Sequence, residues 1–185
     1  STFKVVYVGS IRQVNNLGTL VDAAKYLKDD KSIQILIYGD GTEKKKLEEE
    51  CKINGLNVKF KGRVEKKYIP FILSHSDLNV INVRAAALNK YGCSWNKLFE
   101  YMASGKPILC NLPVNYDLIK KYHLGITRRF TDGDAYKNAI LKFVNMDKKE
   151  YEEYCHNSRE CGEMYDYKKL SCKVEKILLQ AKNTF

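Results

Sequence analysis

At 185 residues, 44% of them hydrophobic, the chain can bury one sizeable core, and a single domain over residues 1–185 is expected. A net charge of +10 and a pI near 9.2 point to acidic partners: nucleotides, nucleic acid or an anionic membrane surface. The cations are spread out, with short clusters at Lys44-Lys45-Lys46, Lys120-Lys121 and Arg128-Arg129, and no long basic stripe interleaved with aromatics argues for nucleic acid. Six cysteines form no C-x-x-C pair and have no histidine cluster beside them, so no metal site is expected. No stretch reads as a signal peptide or approaches the roughly 20 apolar residues of a membrane helix, and free thiols in a reducing cytoplasm are the expectation.

The chain opens almost at once on a buried strand, Phe3-Lys4-Val5-Val6-Tyr7-Val8, as an excised piece of a longer protein would. After Gly9, Leu17, Leu20, Val21, Ala24 and Leu27 recur at i, i+3, i+4, i+7 and i+10, the period of an amphipathic helix. A second strand over residues 33–38 ends in Gly39-Asp40-Gly41 and is followed by a charged helix over 43–52. A third strand, 57–61, stops at Gly62; a helix covers 67–74; and a fourth strand, 77–83, is built on Leu78, Val80 and Ile81.

The most informative stretch comes next. Ser94 is a good N-cap, Trp95, Leu98 and Met102 form an apolar line, and Gly105 with Pro107 supplies a stop, so the pattern predicts a helix over 95–104. Asn96, Lys97 and Glu100 fall on the opposite face. Lys97 sits in the first turn, where the helix dipole disfavours a cation by about 0.3–1 kcal/mol. A solvated Lys97–Glu100 pair is one explanation, worth only about 0.2–0.5 kcal/mol in this orientation. A bound phosphate at the helix start is the other.

Residues 107–110 and 124–127 read as further strands with a helix over 116–122 between them, and the tail from 134 onward is helical in pattern. Short buried strands alternating with helices predict an α/β fold with a doubly wound, Rossmann-like parallel sheet. Ligands of such sheets lie outside the carboxyl ends of the strands. The loops there are Gly9-Ser10-Ile11-Arg12, Gly39-Asp40-Gly41, Gly62-Arg63-Val64, residues 84–94 and Asn111-Leu112-Pro113.

Tyr7-Val8-Gly9-Ser10, Ile37-Tyr38-Gly39-Asp40-Gly41, the run 58–64 ending in Gly62-Arg63-Val64, Ser76-Asp77-Leu78 and the string Asn96-Lys97-Leu98-Phe99-Glu100-Tyr101-Met102-Ala103-Ser104-Gly105-Lys106-Pro107-Ile108 stand in the order seen in glycosyltransferase family 4. Over almost its whole length the chain resembles the C-terminal, donor-binding half of these GT-B enzymes, in the branch found in bacterial capsule and O-antigen (lipopolysaccharide) clusters.

The resemblance implies retaining transfer of a sugar from a nucleoside diphosphate sugar, with UDP the expected nucleotide and no separate cofactor. It places Glu100 on the ribose hydroxyls, Gly62, Arg63 and Val64 beside the base, Gly39 and Asp40 near the nucleoside, and Gly9, Ser94 and Asn96 with the amides around them toward the diphosphate. The first carboxylate of the family's E-x7-E motif falls on Gly92, and its loop cations fall on Ser10 and Asn15; Arg12 and Lys97 are the candidate replacements. No catalytic residue is assigned, because the acceptor, a glycan or a lipid-linked one, is expected on an N-terminal domain absent from this chain. The expected setting is the cytoplasm, at the inner face of the membrane if peripheral contact occurs. A related GT-B sugar epimerase and a non-catalytic nucleotide-binding module stay open beside the transferase.

Overall fold

β-branched and aromatic side chains make the runs at Phe3–Val8 (β1) and Ile33–Tyr38 (β2) good strand formers, and the two pair in parallel register from Phe3 against Ile33 to Val8 against Tyr38. The computed structural model describes residues 2–92 and 95–182. Val58–Gly62 (β3), Leu78–Ile81 (β4), Ile108–Cys110 (β5) and Gly125–Thr127 (β6) complete an all-parallel sheet in the order β3-β2-β1-β4-β5-β6. The order reverses between β1 and β4, which opens a crevice at their carboxyl ends.

Helices cover both faces. Gly18–Lys25 (α1), Lys44–Ile53 (α2) and, further along, Gly133–Val144 (α6) pack on one, where Leu20, Val21, Leu47, Tyr136, Ile140 and Phe143 join Val5, Tyr7 and Ile35. Ile69–Ser74 (α3), Asn96–Ala103 (α4) and Leu118–Lys121 (α5) pack on the other, with Leu73, Leu98, Tyr101 and Met102 against Val6, Val8 and Ile81. Two helices follow, Lys148–Met164 (α7) and Tyr167–Lys182 (α8). At Gly162 a Cβ would lie 2.7 Å from the Ala103 amide nitrogen, so α7 and α4 sit backbone to backbone.

Several boundaries differ from the sequence pattern, each for a local reason. The helix expected from Ser94 begins at Asn96 with Trp95 in the extended cap position, and Ser94 itself lies outside the described residues. The 67–74 segment divides into a 3-10 turn at Lys66–Tyr68 and α3, with Pro70 in the first turn of the helix. β4 stops at Ile81 because Asn82 turns its side chain into buried hydrogen bonds. The helix expected over 116–122 shrinks to the single turn of α5, started by the Asp117 carboxylate, which accepts from the Lys120 amide. The helical tail is broken in two places by aspartates: Asp147 caps α7, and Asp166 accepts from the Lys168 amide at the head of α8.

Candidate functional site

The carboxyl ends of β1, β2 and β3 are locked together beyond the strands. The Gly9 amide donates to Tyr38 O (3.0 Å), Ile11 to Asp40 O (2.8 Å), Glu43 to Ile11 O (3.0 Å) and Gly39 to Gly62 O (2.8 Å). At Gly39 the backbone has φ +139°, and a Cβ there would stand 1.8 Å from Gly9 O, so only glycine lets the two loops run this close. The result is a cleft of about 520 Å³ floored by backbone and lined by Gly9, Ser10, Arg12, Tyr38, Asp40 and Val64 among others, Arg63 and Gly39 included.

The expected site residues thus fall into two groups. Gly9, Ser10, Arg12, Gly39, Asp40, Arg63 and Val64 line this cleft. Gly62 does not, but its carbonyl carries the Gly39 amide. Asn96, Lys97 and Glu100 lie beside it on α4: Asn96 is exposed as the first helical residue, while Lys97 and Glu100 are half-buried.

Lys97 is not on a solvated face. Its Nζ would be 3.0 Å from a Cβ at Gly9, donates to the Tyr7 hydroxyl (3.2 Å) and Asn15 Oδ1 (3.4 Å), and lies 4.6 Å from the centre of the Tyr7 ring. The ammonium is therefore directed across to the loop after β1. Among the described residues it forms no ion pair with Glu100, so the surface pair considered above does not exist. Burial pushes the Lys97 ammonium down to about 8, with weaker opposing contributions from the neighbouring Cys110 and Glu100. The Glu100 carboxylate has no hydrogen-bond or ion-pair partner among the described residues.

Residues that the sequence pattern did not single out complete the arrangement. Tyr7 donates from its hydroxyl to Ser10 O (2.8 Å), and burial pushes that hydroxyl above its ordinary range. Asn15 donates to both Ser10 O and Ser10 Oγ at 2.8 Å. Tyr101 accepts from the Val8 amide (2.9 Å), fixing α4 to the end of β1. Tyr7 and Tyr101 sit in apolar runs and read as core. In the sequence Asn15 stands out only as the position on which one of the family's loop cations falls.

A bare backbone floor, glycines at the strand ends and a buried ammonium with no carboxylate partner among the described residues can hold an anionic ligand. Among the described residues no group of three or more His, Cys, Asp and Glu is placed to hold a metal ion, and no helix is long and apolar enough to cross a membrane. The described cysteines, Cys51, Cys110, Cys155, Cys161 and Cys172, form no disulfide.

The family model described as glycosyl transferases group 1 matches residues 1–160. A search of curated protein sequences returns no significant match. Solved structures share the fold. Anabaena HepE in complex with UDP superposes with a TM-score of 0.80 at 18% identity, covering 97% of this chain and 49% of that one. Staphylococcus aureus TarM, solved as a mutant with fondaparinux, α-GlcNAc-glycerol and UDP, gives 0.76 at 20%, covering 96% and 35%. The catalytic domain of the Helicobacter pylori cholesterol-α-glucosyltransferase gives 0.70 at 19%, covering 90% of this chain and 100% of that domain. The chain thus spans about half of HepE and a third of TarM.

Proposed function

The chain belongs to the group 1 glycosyl transferases, and from that premise we propose that it is the donor-binding half of a retaining glycosyltransferase, taking a nucleoside diphosphate sugar. The observation that carries this reading is the placement of the Lys97 ammonium, buried against Tyr7 and beside Gly9, at the rim of a cleft floored by the Gly9 and Gly39 loops. In it the base lies by Arg63 and Val64, the nucleoside over Gly39 and Asp40, and the diphosphate against Gly9, Ser10, Lys97 and Arg12. Glu100, a half-buried carboxylate with no partner among the described residues, accepts from the ribose hydroxyls.

Transfer breaks the bond between the anomeric carbon and the diphosphate oxygen, the electron pair staying on the diphosphate, and forms a bond from that carbon to an acceptor hydroxyl oxygen, whose proton passes to the departing diphosphate. Lys97, Arg12 and the loop amides lower the energy of that growing charge, and being already fixed by Tyr7, Asn15 and the strand ends they need no rearrangement to do so. Structures of similar fold hold UDP and UDP-glucose, which supports a UDP-sugar donor. The acceptor is a glycan or lipid-linked sugar in capsule or O-antigen synthesis, reached at the cytoplasmic face of the membrane.

Calorimetric titration with UDP, GDP, ADP and CMP tests the reading. UDP is expected to bind with a clear preference, and Lys97→Gln to weaken UDP while sparing uridine. Absence of binding by all four nucleotides would overturn it.

A further inference from the structure

Arg12 is shared by two openings. Beyond the loop after β1, a groove of about 470 Å³ runs between α1 and α2, lined by Arg12, Gln13, Asp22, Lys46, Glu50 and Arg84 among others. The donor reading uses none of these except Arg12.

The groove's charges are of three kinds, one of them Glu43, a lining carboxylate with no ion-pair partner among the described residues. Asp22 and Glu50 are bridged by one cation: Lys25 Nζ lies 2.7 Å from a carboxylate oxygen of each, which fixes both carboxylates and compensates much of their charge. Arg12, Lys46 and Arg84 have no ion-pair partner among the described residues. The backbone that carries the two arginines is fixed. The Arg84 amide donates to Val14 O (2.8 Å), and two residues earlier Asn82 donates to Asn16 O (3.2 Å) and Thr19 Oγ1 (3.0 Å) while accepting from the buried Tyr136 hydroxyl (2.5 Å).

We propose that this groove binds a phosphorylated sugar, its phosphate taken by Arg12, Arg84 and Lys46 and its hydroxyls by the fixed carboxylates of Asp22 and Glu50. Guanidinium groups suit phosphate because their planar fork donates in pairs, and ionised carboxylates suit hydroxyl donors because they only accept. The volume falls within the roughly 300–1,000 Å³ of small-molecule sites. The inference rests on the donor reading in one respect: with Arg12 on the partition, a phosphosugar in the groove lies beside the donor diphosphate, so this half of the enzyme contributes to holding an acceptor whose chemistry is a sugar phosphate. A phospholipid headgroup shares the phosphate ester but lacks the ring.

The experiment is calorimetry on the full 185-residue chain saturated with UDP, with glucose 1-phosphate and sn-glycerol 1-phosphate as probes. Glucose 1-phosphate should bind, and at least about tenfold tighter than glycerol 1-phosphate, since the ring hydroxyls add hydrogen bonds to charged acceptors. The double variant Lys46→Gln/Arg84→Gln should lose at least about tenfold in that affinity and leave UDP binding unchanged, because neither side chain lines the donor cleft. Equal binding of the two probes would assign the groove to a headgroup phosphate and overturn the sugar half of the proposal. No binding of glucose 1-phosphate, or equal binding by the variant, overturns it entirely. If UDP itself does not bind, the donor reading has failed, and the same titration of the free protein still decides the groove.

Discussion

Lys97 carries two opposed effects, and they separate by measurement. Its ammonium is held down to about 8 by burial, so the folded state disfavours the proton that the unfolded chain keeps until above pH 10. Below about pH 8 both states are protonated and the penalty is present in full; from there to about pH 10.5 the unfolded chain binds more protons than the folded one, and stability rises with pH. A shift of this size corresponds to roughly 3 kcal/mol at most. Lys97→Met should therefore raise stability at pH 7 by about 1–2 kcal/mol and remove the alkaline rise, read from urea denaturation at several pH values. The same variant should lose about tenfold or more in UDP affinity, since a charge-assisted hydrogen bond is worth about 1.5–3 kcal/mol. In the wild type, UDP affinity should fall as pH rises through about 8 while uridine affinity stays level. Glu100 behaves differently. With no hydrogen-bond or ion-pair partner among the described residues, Glu100→Ala should change stability by no more than about 0.5 kcal/mol. It should weaken UDP by about 1.5–3 kcal/mol, and 2′,3′-dideoxy-UDP should bind variant and wild type alike.

At the scale of elements, the loop after β1 is held in place from β4. Asn82, fully buried, accepts from Tyr136 on α6 and donates to Asn16 O and Thr19 Oγ1 at the head of α1, and Asn16 is thereby held in the left-handed region at φ 44°. Asn82→Ala leaves the buried Tyr136 hydroxyl and the Asn16 carbonyl without these partners and should cost about 1–3 kcal/mol by chemical denaturation, with faster amide exchange at Asn15 to Leu17 than elsewhere. Little of this was legible beforehand. Strand and helix periods reveal which residues are buried, so the parallel sheet, the glycine-ended loops and the cleft facing Gly9, Gly39 and Val64 follow from the pattern. What periodicity does not reveal is where a side chain reaches across the fold. The pattern left Lys97 between a solvated pair with Glu100 and a phosphate contact because its own helix shows only a polar face; its actual neighbours, Tyr7 and Asn15, come from the start of the chain. Asn82 looked like a strand residue for the same reason.

At the scale of the molecule, the cleft is lined by the loops after β1, β2 and β3 and by Ile69 of α3. The cleft opens outward from the strand ends, and HepE and TarM, which share the fold, are about two to three times longer than the chain. The 185-residue chain should accordingly bind UDP without transferring sugar to glucose 1-phosphate or to water, assayed by release of UDP from UDP-glucose. The last helix raises a separate question of what holds it. Among its described side chains α8 carries no buried residue: Tyr167, Ile177 and Leu178 are 83%, 63% and 65% exposed, and Lys168, Lys169, Lys173 and Lys176 are exposed as well. Apolar area that is not removed from water contributes nothing to folding at about 25 cal/mol per Å². Truncation after Asp166 should then leave stability within about 0.5 kcal/mol and Tm within about 2 °C, whereas truncation after Asn145, which also removes α7 and its close backbone packing on α4, should lower Tm far more. The same exposed apolar face predicts concentration-dependent association of the full chain in analytical ultracentrifugation, absent from the form ending at Asp166. A loss of more than about 2 kcal/mol on removing α8 alone would mean that the helix packs on the domain in solution after all.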